Sequence, residues 1–206
     1  MNELHEECGV FGVFLPNGQQ GVIPPAYHAL YALQHRGQES CGIAVNNCGV
    51  IDCHKDVGLV GEVFTRDVME KLTEGSIAVG HCRYGTTGAQ NRGNAQPLLV
   101  NHLKGGMALC HNGNLVNAHE LRDTLEHGGA IFHTTSDSEV IAYTITQERL
   151  TAESIEQAVL AAMRRIKGAY SLVVMSPSKL VAARDPHGFR PLCMGTLENG
   201  GTVFAS

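Results

Sequence analysis

Five short polar blocks interrupt a sequence that is otherwise rich in apolar residues and glycine; they span residues 7–9, 34–38, 81–85, 111–114 and 136–139. They bring together a thiol, guanidinium groups, a carboxamide and carboxylates, which are the groups that nucleophilic attack and recognition of a charged ligand require. Each block falls at the end of a predicted strand or helix, where rigid elements usually hold functional loops. The types and positions of these residues therefore favour a catalytic or binding site.

Each block also has an ordinary structural explanation when it is taken alone. A cysteine before a strand, such as Cys8, is usually a small buried apolar residue. The pair Asn112-Gly113 is typical of a tight hairpin turn. Ser136 is a favourable residue for the start of a helix. Spacing and composition alone lead no further than an α+β domain.

Standard cofactor motifs are absent from the sequence. It contains no GxGxxG, no GxxxxGK[ST] and no GxSxG pattern, so neither a nucleotide-binding loop nor a serine-hydrolase elbow is indicated. The seven cysteines are an odd number without a CxxC pair. Free thiols in a reducing cytoplasm are therefore expected, rather than a disulfide framework or a metal site.

Length and charge exclude several classes of protein. A chain of 206 residues with 43% hydrophobic residues can bury a core as one domain. Its 15 Lys and Arg against 20 Asp and Glu argue against nucleic acid as a partner, since clustered basic residues drive phosphate binding. No apolar run approaches the ~18 residues that a membrane span needs, and the N-terminus does not resemble a secretory signal.

The elements that must position these blocks follow from hydrophobic patterning. Helices are predicted from Pro24-Pro25 to before Gly37, from Asn117 with a capping box through Glu120, from Ser136 onward, and over residues 152–167. Short apolar runs predict strands over residues 9–14, 42–45, 50–54, 76–82, 107–111, 170–175, 180–184 and 202–205. Helices clustered between two runs of strands predict an α+β fold, with two sheets packed face to face and helices outside.

Seven sequence blocks, taken in order, resemble the glutaminase domain of the amidophosphoribosyltransferase family over essentially the whole chain. They are residues 8–12 (CGVFG), 33–39 (LQHRGQE), 80–84 (GHCRY), 95–97 (AQP), 111–117 (HNGNLVN), 135–139 (TSDSE) and 184–192 (RDPHGFRPL). The resemblance implies a glutamine-hydrolysing enzyme that supplies ammonia to purine biosynthesis. It also implies the four-layer α/β/β/α sandwich of the N-terminal nucleophile hydrolases, in agreement with the predicted layers.

Catalytic roles follow from the same resemblance. Cys8 matches the nucleophile, residues 1–7 match a propeptide, and residues 8–206 match the glutamine amidotransferase domain. The Asn112 side chain and the Gly113 N–H match the donors to the oxyanion, and this pair would serve both as a turn and as an oxyanion hole. The histidines at 81 and 111 are expected to be structural.

Recognition of L-glutamine is likewise implied. Arg83 matches the residue that pairs with the α-carboxylate, for which a guanidinium fork is suited. Asp137 matches the carboxylate that receives the α-ammonium, and Arg36 matches a supporting arginine near the nucleophile. We expect residues 85–95, which are rich in Gly, Asn and Thr, to form a glutamine loop that is mobile without substrate.

The family also has a phosphoribosyltransferase half, which this chain lacks, so we expect the chain to be part of a longer protein. Mg²⁺ and, in some relatives, an iron–sulfur cluster would belong to that half, and no cofactor or metal is expected here. The whole enzyme is expected to be a homo-oligomer. Two alternatives stay open: an unprocessed, non-catalytic module for assembly or regulation, and a stand-alone glutaminase that feeds a separate synthase.

Overall fold

The computed structural model describes residues 8–84 and 92–206. Its helices are α1 Ile23–Leu33, α2 Val60–Val63, α3 Arg66–Lys71, α4 Ala118–His127, α5 Asp137–Arg149 and α6 Ile155–Met163. Its strands are β1 Gly9–Phe14, β2 Ser40–Asn47, β3 Val50–Val57, β4 Ile77–Arg83, β5 Leu98–His102, β6 Gly105–Leu115, β7 Gly168–Met175, β8 Leu180–Arg184, β9 Cys193–Thr196 and β10 Thr202–Ala205. Short 3₁₀ turns span Gln34–Arg36 and Arg92–Asn94.

These strands form two antiparallel sheets. The first has the order β3-β2-β4-β1-β10-β9 and the second has the order β5-β6-β7-β8. In the first sheet β1 lies between β4 and β10, with Gly9 opposite Cys82 and Phe11 opposite Ala205. The strand that follows Cys8 is therefore central, with a neighbour on each side.

The two sheets pack face to face. Alternate residues of each strand point to opposite faces of its sheet, so one set of side chains lies between the sheets and the other set faces the helices. Val10, Val79, Ala108 and Val173 lie in the layer between the sheets. On the outer face of the first sheet, Phe11 and Ile43 pack with Leu30 of α1 and Val60 of α2. On the outer face of the second, Leu109 and Leu172 pack with Leu121, Ile141 and Val159 of α4, α5 and α6. The predicted α+β fold with α/β/β/α layers is confirmed.

Local expectations were met unevenly. Pro24 and Pro25 lie in the first turn of α1, as predicted, and Ser136 caps α5 by accepting a hydrogen bond from Ser138 N. The predicted capping box at Asn117 is wrong, because this side chain makes no cap bond. Asn117 instead donates to Arg165 O at 2.9 Å and accepts from Lys167 N at 2.9 Å, so it joins α4 to the segment before β7.

Two predictions concern residues outside the described ranges. Residues 1–7, the predicted propeptide, and residues 85–91, most of the predicted glutamine loop, are not described. None of the helices in the described ranges is long and apolar enough to cross a bilayer.

Candidate active site

Cys8 lies directly before β1 with a backbone φ of +53°, a left-handed conformation that few residues other than glycine adopt. Its carbonyl oxygen accepts a hydrogen bond from Arg36 Nε at 3.0 Å. Its Sγ lies 3.9 Å from Tyr84 O, just beyond the end of β4. The thiol therefore sits where β1 begins and β4 ends, and it is partly exposed.

Arg36 reaches Cys8 from the 3₁₀ turn that follows α1. The next residue, Gly37, packs so closely on β4 that a Cβ there would lie 2.6 Å from the Cys82 carbonyl carbon and 2.7 Å from that of Arg83. Gly37 has an extended φ of −157°, so its requirement for glycine is steric and not conformational. This contact holds the turn against the end of the strand that carries Arg83.

Arg83 is bound to an acidic residue, Glu39, for which the sequence predicted no role. Its Nη1 donates to Glu39 Oε1 at 2.9 Å, and the two side chains are only 9% and 10% exposed. Glu39 stands in the same sequence block, residues 33–39, as Arg36 and Gly37, and it follows Arg36 by three residues. The closeness in sequence of this acid to Arg36, a predicted supporting arginine of the site, was the signal that could have found it.

Cys41 and Cys82 lie opposite each other on β2 and β4, and both side chains are buried. Burial raises the pKa of the Cys41 thiol to about 12 and raises that of the Cys82 thiol further, with neighbouring acidic groups and thiols adding to the rise. A buried thiol that holds its proton is a poor nucleophile. These two cysteines therefore do not compete with Cys8.

Asn112 and Gly113 lie inside β6, so the prediction that they form a turn is wrong. The Asn-Gly signal is overridden because Asn112 pairs with Ser171 and Gly113 with Tyr170 along β7. Gly113 has φ of +140°, and a Cβ there would collide with the Ala169 carbonyl oxygen. Glycine is needed here for a strained point in a strand rather than for a hairpin.

The Asn112 side chain is fully buried. Neither its Oδ1 nor its Nδ2 has a hydrogen-bond partner among the described residues. Since an unpaired buried amide costs about 1–3 kcal/mol, such groups are usually kept for a ligand or an ordered water. Among the predicted site residues, Asn112 is the one whose donor is demonstrably unused by the described part of the fold.

Asp137 is the first residue of α5 and joins this helix to the end of β6. Its Oδ2 accepts from Leu115 N at 2.9 Å, and its Oδ1 lies 3.6 Å from His111 Nδ1. The side chain is 19% exposed. Beside it opens a cavity of about 390 Å³ whose lining includes Asn114, Arg122 and Ser136, so the carboxylate is accessible from this side.

A buried polar network behind Asn112 was not foreseen. Gln96 accepts from His111 N at 2.7 Å and donates both to His111 O at 3.2 Å and to Ser138 Oγ at 3.1 Å. His111 Nδ1 lies 3.0 Å from the same hydroxyl. This network ties β6, at the residue before Asn112, to the start of α5. Gln96 stands in the sequence block of residues 95–97 and Ser138 in that of residues 135–139, but their residue types alone did not distinguish them from loop and cap residues.

One hydrogen bond connects the two sheets at the site: His81 Nε2 of β4 donates to His111 O of β6 at 2.9 Å. This bond requires the Nε2–H tautomer of His81. Burial lowers the pKa of His81 to about 3 and also lowers that of His111, although Asp137 opposes the shift at His111. Both imidazoles are therefore neutral near pH 7.

The predicted residues thus fall into two groups. Cys8, Arg36 and Arg83 lie together at the start of β1 and the end of β4, whereas Asn112, Gly113 and Asp137 lie on β6 and α5. The His81–His111 bond joins the strands that carry the groups. Among the described residues, no group of three or more His, Cys, Asp or Glu side chains is arranged to hold a metal ion.

Comparison with known families gives a match to a model described as a glutamine amidotransferase domain, over residues 81–206. An amidophosphoribosyltransferase from Synechocystis sp. is 47% identical over 194 residues, which cover 94% of this chain and 39% of that protein. An amidophosphoribosyltransferase from Methanocaldococcus jannaschii is 43% identical and is covered to 40% of its length. The chain therefore spans about two fifths of the length of these relatives.

Solved structures agree. The glutamine phosphoribosylpyrophosphate amidotransferase from B. subtilis, complexed with ADP and GMP, superposes with a TM-score of 0.86 at 39% identity, covering 96% of this chain and 41% of that one. A class-II glutamine aminotransferase domain protein from Silicibacter pomeroyi has a TM-score of 0.63 at 14% identity, covering 97% of this chain and 88% of that one, and this likeness concerns the fold alone. The predicted N-terminal nucleophile hydrolase type of sandwich is confirmed.

Proposed function

The chain belongs to the glutamine amidotransferase domain family, and on that premise we propose that it hydrolyses the side-chain amide of L-glutamine with the Cys8 thiol as nucleophile. The observation that carries the proposal is the placement of Cys8 at the start of a central strand. There the thiol is partly exposed, and its carbonyl is held by Arg36. The other cysteines near it are buried and protonated.

The nucleophile needs a base, because an ordinary thiol with a pKa of about 8.5 is mostly protonated at pH 7. We propose that residues 1–7 are removed, so that the new α-amine of Cys8 accepts the thiol proton. An α-amine has a pKa of about 7.7–8.0, which suits this exchange, whereas the nitrogen of the Glu7–Cys8 peptide bond cannot accept a proton. The unprocessed chain is therefore expected to be inactive.

Reaction then follows in two steps. The Cys8 thiolate adds to the amide carbon, the C–N bond breaks, and ammonia leaves with the proton returned from the α-ammonium. A water molecule next hydrolyses the thioester to glutamate and regenerates the thiol. We assign the Asn112 Nδ2 and the Gly113 N–H to the oxyanion; loss of one such donor typically costs about 3–4 kcal/mol of transition-state stabilisation.

We assign the amino-acid end of the substrate to two charged residues. Arg83 would bind the α-carboxylate and Asp137 the α-ammonium. Arg36, through its bond to the Cys8 carbonyl, would hold the main chain of the nucleophile. In the whole enzyme the ammonia would displace pyrophosphate from phosphoribosyl pyrophosphate in a transferase half outside this chain, where any Mg²⁺ or iron–sulfur cluster would bind. That half, a homo-oligomeric assembly and a cytoplasmic location stay predictions, the last supported by seven free thiols.

A matched pair of cysteine variants tests the proposal. Cys8→Ala should abolish release of ammonia from L-glutamine, whereas Cys193→Ala, which removes an exposed cysteine, should retain it. Intact mass should show loss of residues 1–7 in active protein. Glutamine hydrolysis by Cys8→Ala at the wild-type rate would contradict the assignment. A folded protein that always begins at Met1 and is inactive would instead support the non-catalytic alternative.

A further inference from the structure

We propose that Glu39 is a positioning residue, which orients the Arg83 guanidinium and so makes the site specific for substrates that carry an α-carboxylate. This inference rests on the proposed function, in which Arg83 binds that carboxylate. Neither the resemblance to known enzymes nor the sequence pattern gave Glu39 a role.

The contact between the two side chains is short and protected from water. Arg83 Nη1 donates to Glu39 Oε1 at 2.9 Å, with the side chains 9% and 10% exposed. Exposed ion pairs are loose and add little, as the pair of Arg66 and Glu70 illustrates with side chains 89% and 62% exposed. A charge-assisted bond away from water, in contrast, fixes direction as well as distance.

The backbone of Glu39 is held independently of this ion pair. Glu39 N donates to Arg83 O at 3.0 Å, and Glu39 O accepts from Gly58 N at 2.9 Å. The next residue, Ser40, lies opposite Arg83 in the pairing of β2 with β4. The main chain of Glu39 is therefore bonded both to the main chain of Arg83 and to Gly58, so its carboxylate starts from a fixed backbone position beside the Arg83 side chain.

Orientation matters because an arginine side chain has many rotamers. Immobilising such a side chain on binding costs conformational entropy and weakens affinity. A guanidinium that is already oriented avoids much of this cost and presents its planar fork to the incoming carboxylate. The position of the Glu39 carboxylate oxygen, more than its charge, is then expected to determine how well Arg83 is oriented for the substrate.

Three variants separate placement from charge. Glu39→Asp keeps the charge but withdraws the oxygen by one methylene, and it should lower kcat/KM for L-glutamine about tenfold, mainly through KM. Glu39→Ala should do the same or more. Glu39→Gln keeps an oxygen at the same distance from the main chain and should retain most of the wild-type kcat/KM for L-glutamine. Glu70→Ala, in the exposed pair, serves as the matched control and should change nothing.

The decisive comparison uses L-glutaminamide, in which a neutral amide replaces the α-carboxylate. If Glu39 acts through recognition of that carboxylate, Glu39→Asp should lower kcat/KM for this substrate less than about twofold. Equal losses with both substrates would indicate a merely structural role and overturn the inference, as would an unchanged KM for glutamine. Urea unfolding of each variant identifies any that fail to fold. Glu39→Asp is used for the comparison because it keeps both charges of the buried pair and is therefore expected to fold.

The two proposals can fail separately. If the wild-type chain does not hydrolyse glutamine, or if Cys8→Ala does, the proposed catalysis is wrong. Calorimetric binding of L-glutamine and L-glutaminamide to Cys8→Ala, with and without Glu39→Asp, then still decides the role of Glu39. Active wild-type protein with no substrate-dependent effect of Glu39→Asp overturns the Glu39 inference alone.

Discussion

Two neutral histidines inside the sheets make the stability of the protein sensitive to acid. His81 and His111 are buried without charge, since burial lowers the pKa of both, that of His81 to about 3. Arg83 and Lys55 disfavour a proton on His81, while Asp137 favours one on His111. Both imidazoles ionise freely only when the chain unfolds.

We therefore expect the free energy of unfolding to fall as the pH drops below 6.5, the ordinary pKa of histidine. The unfolded state binds the proton near that pH and the folded state does not, so the loss through His81 continues until about pH 3. At pH 5 the loss through His81 is about 2 kcal/mol, and His111 adds a loss of the same sign. Urea titrations at a series of pH values between 7 and 5 measure this loss in the free energy of unfolding.

His81→Gln tests the assignment, because a glutamine amide can replace the Nε2–H donor to His111 O without titrating. The slope of unfolding free energy against pH should then decrease by nearly one proton. His119→Gln, at a side chain 92% exposed, should leave the slope unchanged. Equal slopes for His81→Gln and the wild type would show that His81 is not a source of the acid sensitivity.

At the scale of elements, the turn after α1 and the end of β4 are positioned by one close approach. Gly37→Ala would place a methyl group 2.6 Å from the Cys82 carbonyl carbon, and backbone cannot yield as a flexible side chain can. We expect a loss of about 1–3 kcal/mol in stability. We also expect a larger KM for glutamine, because the displaced strand carries Arg83.

Gly61 provides the matched control for this prediction. It lies in α2, and a Cβ there would meet nothing within 4 Å. Gly61→Ala should therefore be neutral or stabilising by up to about 1 kcal/mol. Chemical unfolding and glutamine kinetics on both variants provide the comparison, and a Gly37→Ala variant as stable as Gly61→Ala would contradict the steric explanation.

Periodic apolar runs made most elements predictable, whereas elements that depend on pairing with distant residues were not predictable. The central strands and the four longer helices were predicted, since their own residues bury an apolar face. Strands β5 and β9 were missed; both lie at sheet edges and expose apolar residues such as Leu99 and Met194, although the edge strands β3 and β8 were predicted. Local sequence predicts a turn at Asn112-Gly113, whereas the pairing of β6 with β7 that places these residues in a strand depends on residues more than fifty positions away.

The residues of the site likewise divide into those that local sequence indicates and those that depend on distant partners. Residue types in the polar blocks, together with a family resemblance, were sufficient to nominate Cys8, Asn112 and Asp137. Their supporting partners Glu39, Gln96 and Ser138 were not nominated, because a carboxylate or amide acquires such a role only from the neighbour that folding brings to it. Local sequence does not encode a bond such as that of Gln96 to His111.

At the scale of the whole molecule, the separation of the two sheets determines whether the groups of the site meet. Gly12 of β1 faces Val173 of β7, and a Cβ at Gly12 would lie 2.6 Å from Val173 Cγ1 and 3.2 Å from Leu180 Cδ1. Glycine at this position therefore permits the close packing of the sheet behind Cys8 on the sheet that carries Asn112.

The loss of stability caused by an added methyl group at Gly12 should be partly relieved when the facing Val173 side chain is shortened. Gly12→Ala is expected to cost about 1–3 kcal/mol and Val173→Ala about 2 kcal/mol, but the double variant should lose at least about 1 kcal/mol less than their sum. Val159→Ala, in the outer helical layer, should instead add its cost to that of Gly12→Ala. Urea unfolding of the set measures the coupling, and strict additivity of the Gly12 and Val173 changes would contradict direct contact between the sheets there.

The position of β1 between β4 and β10 also has a consequence for biosynthesis. Val10 N donates to Ser206 Oγ across 196 positions of sequence, so one flank of this strand is supplied by residues translated long after it. At roughly 5–20 residues per second, a ribosome needs about 10–40 s to supply them. The surroundings of Cys8 are thus completed only after these later residues have been translated.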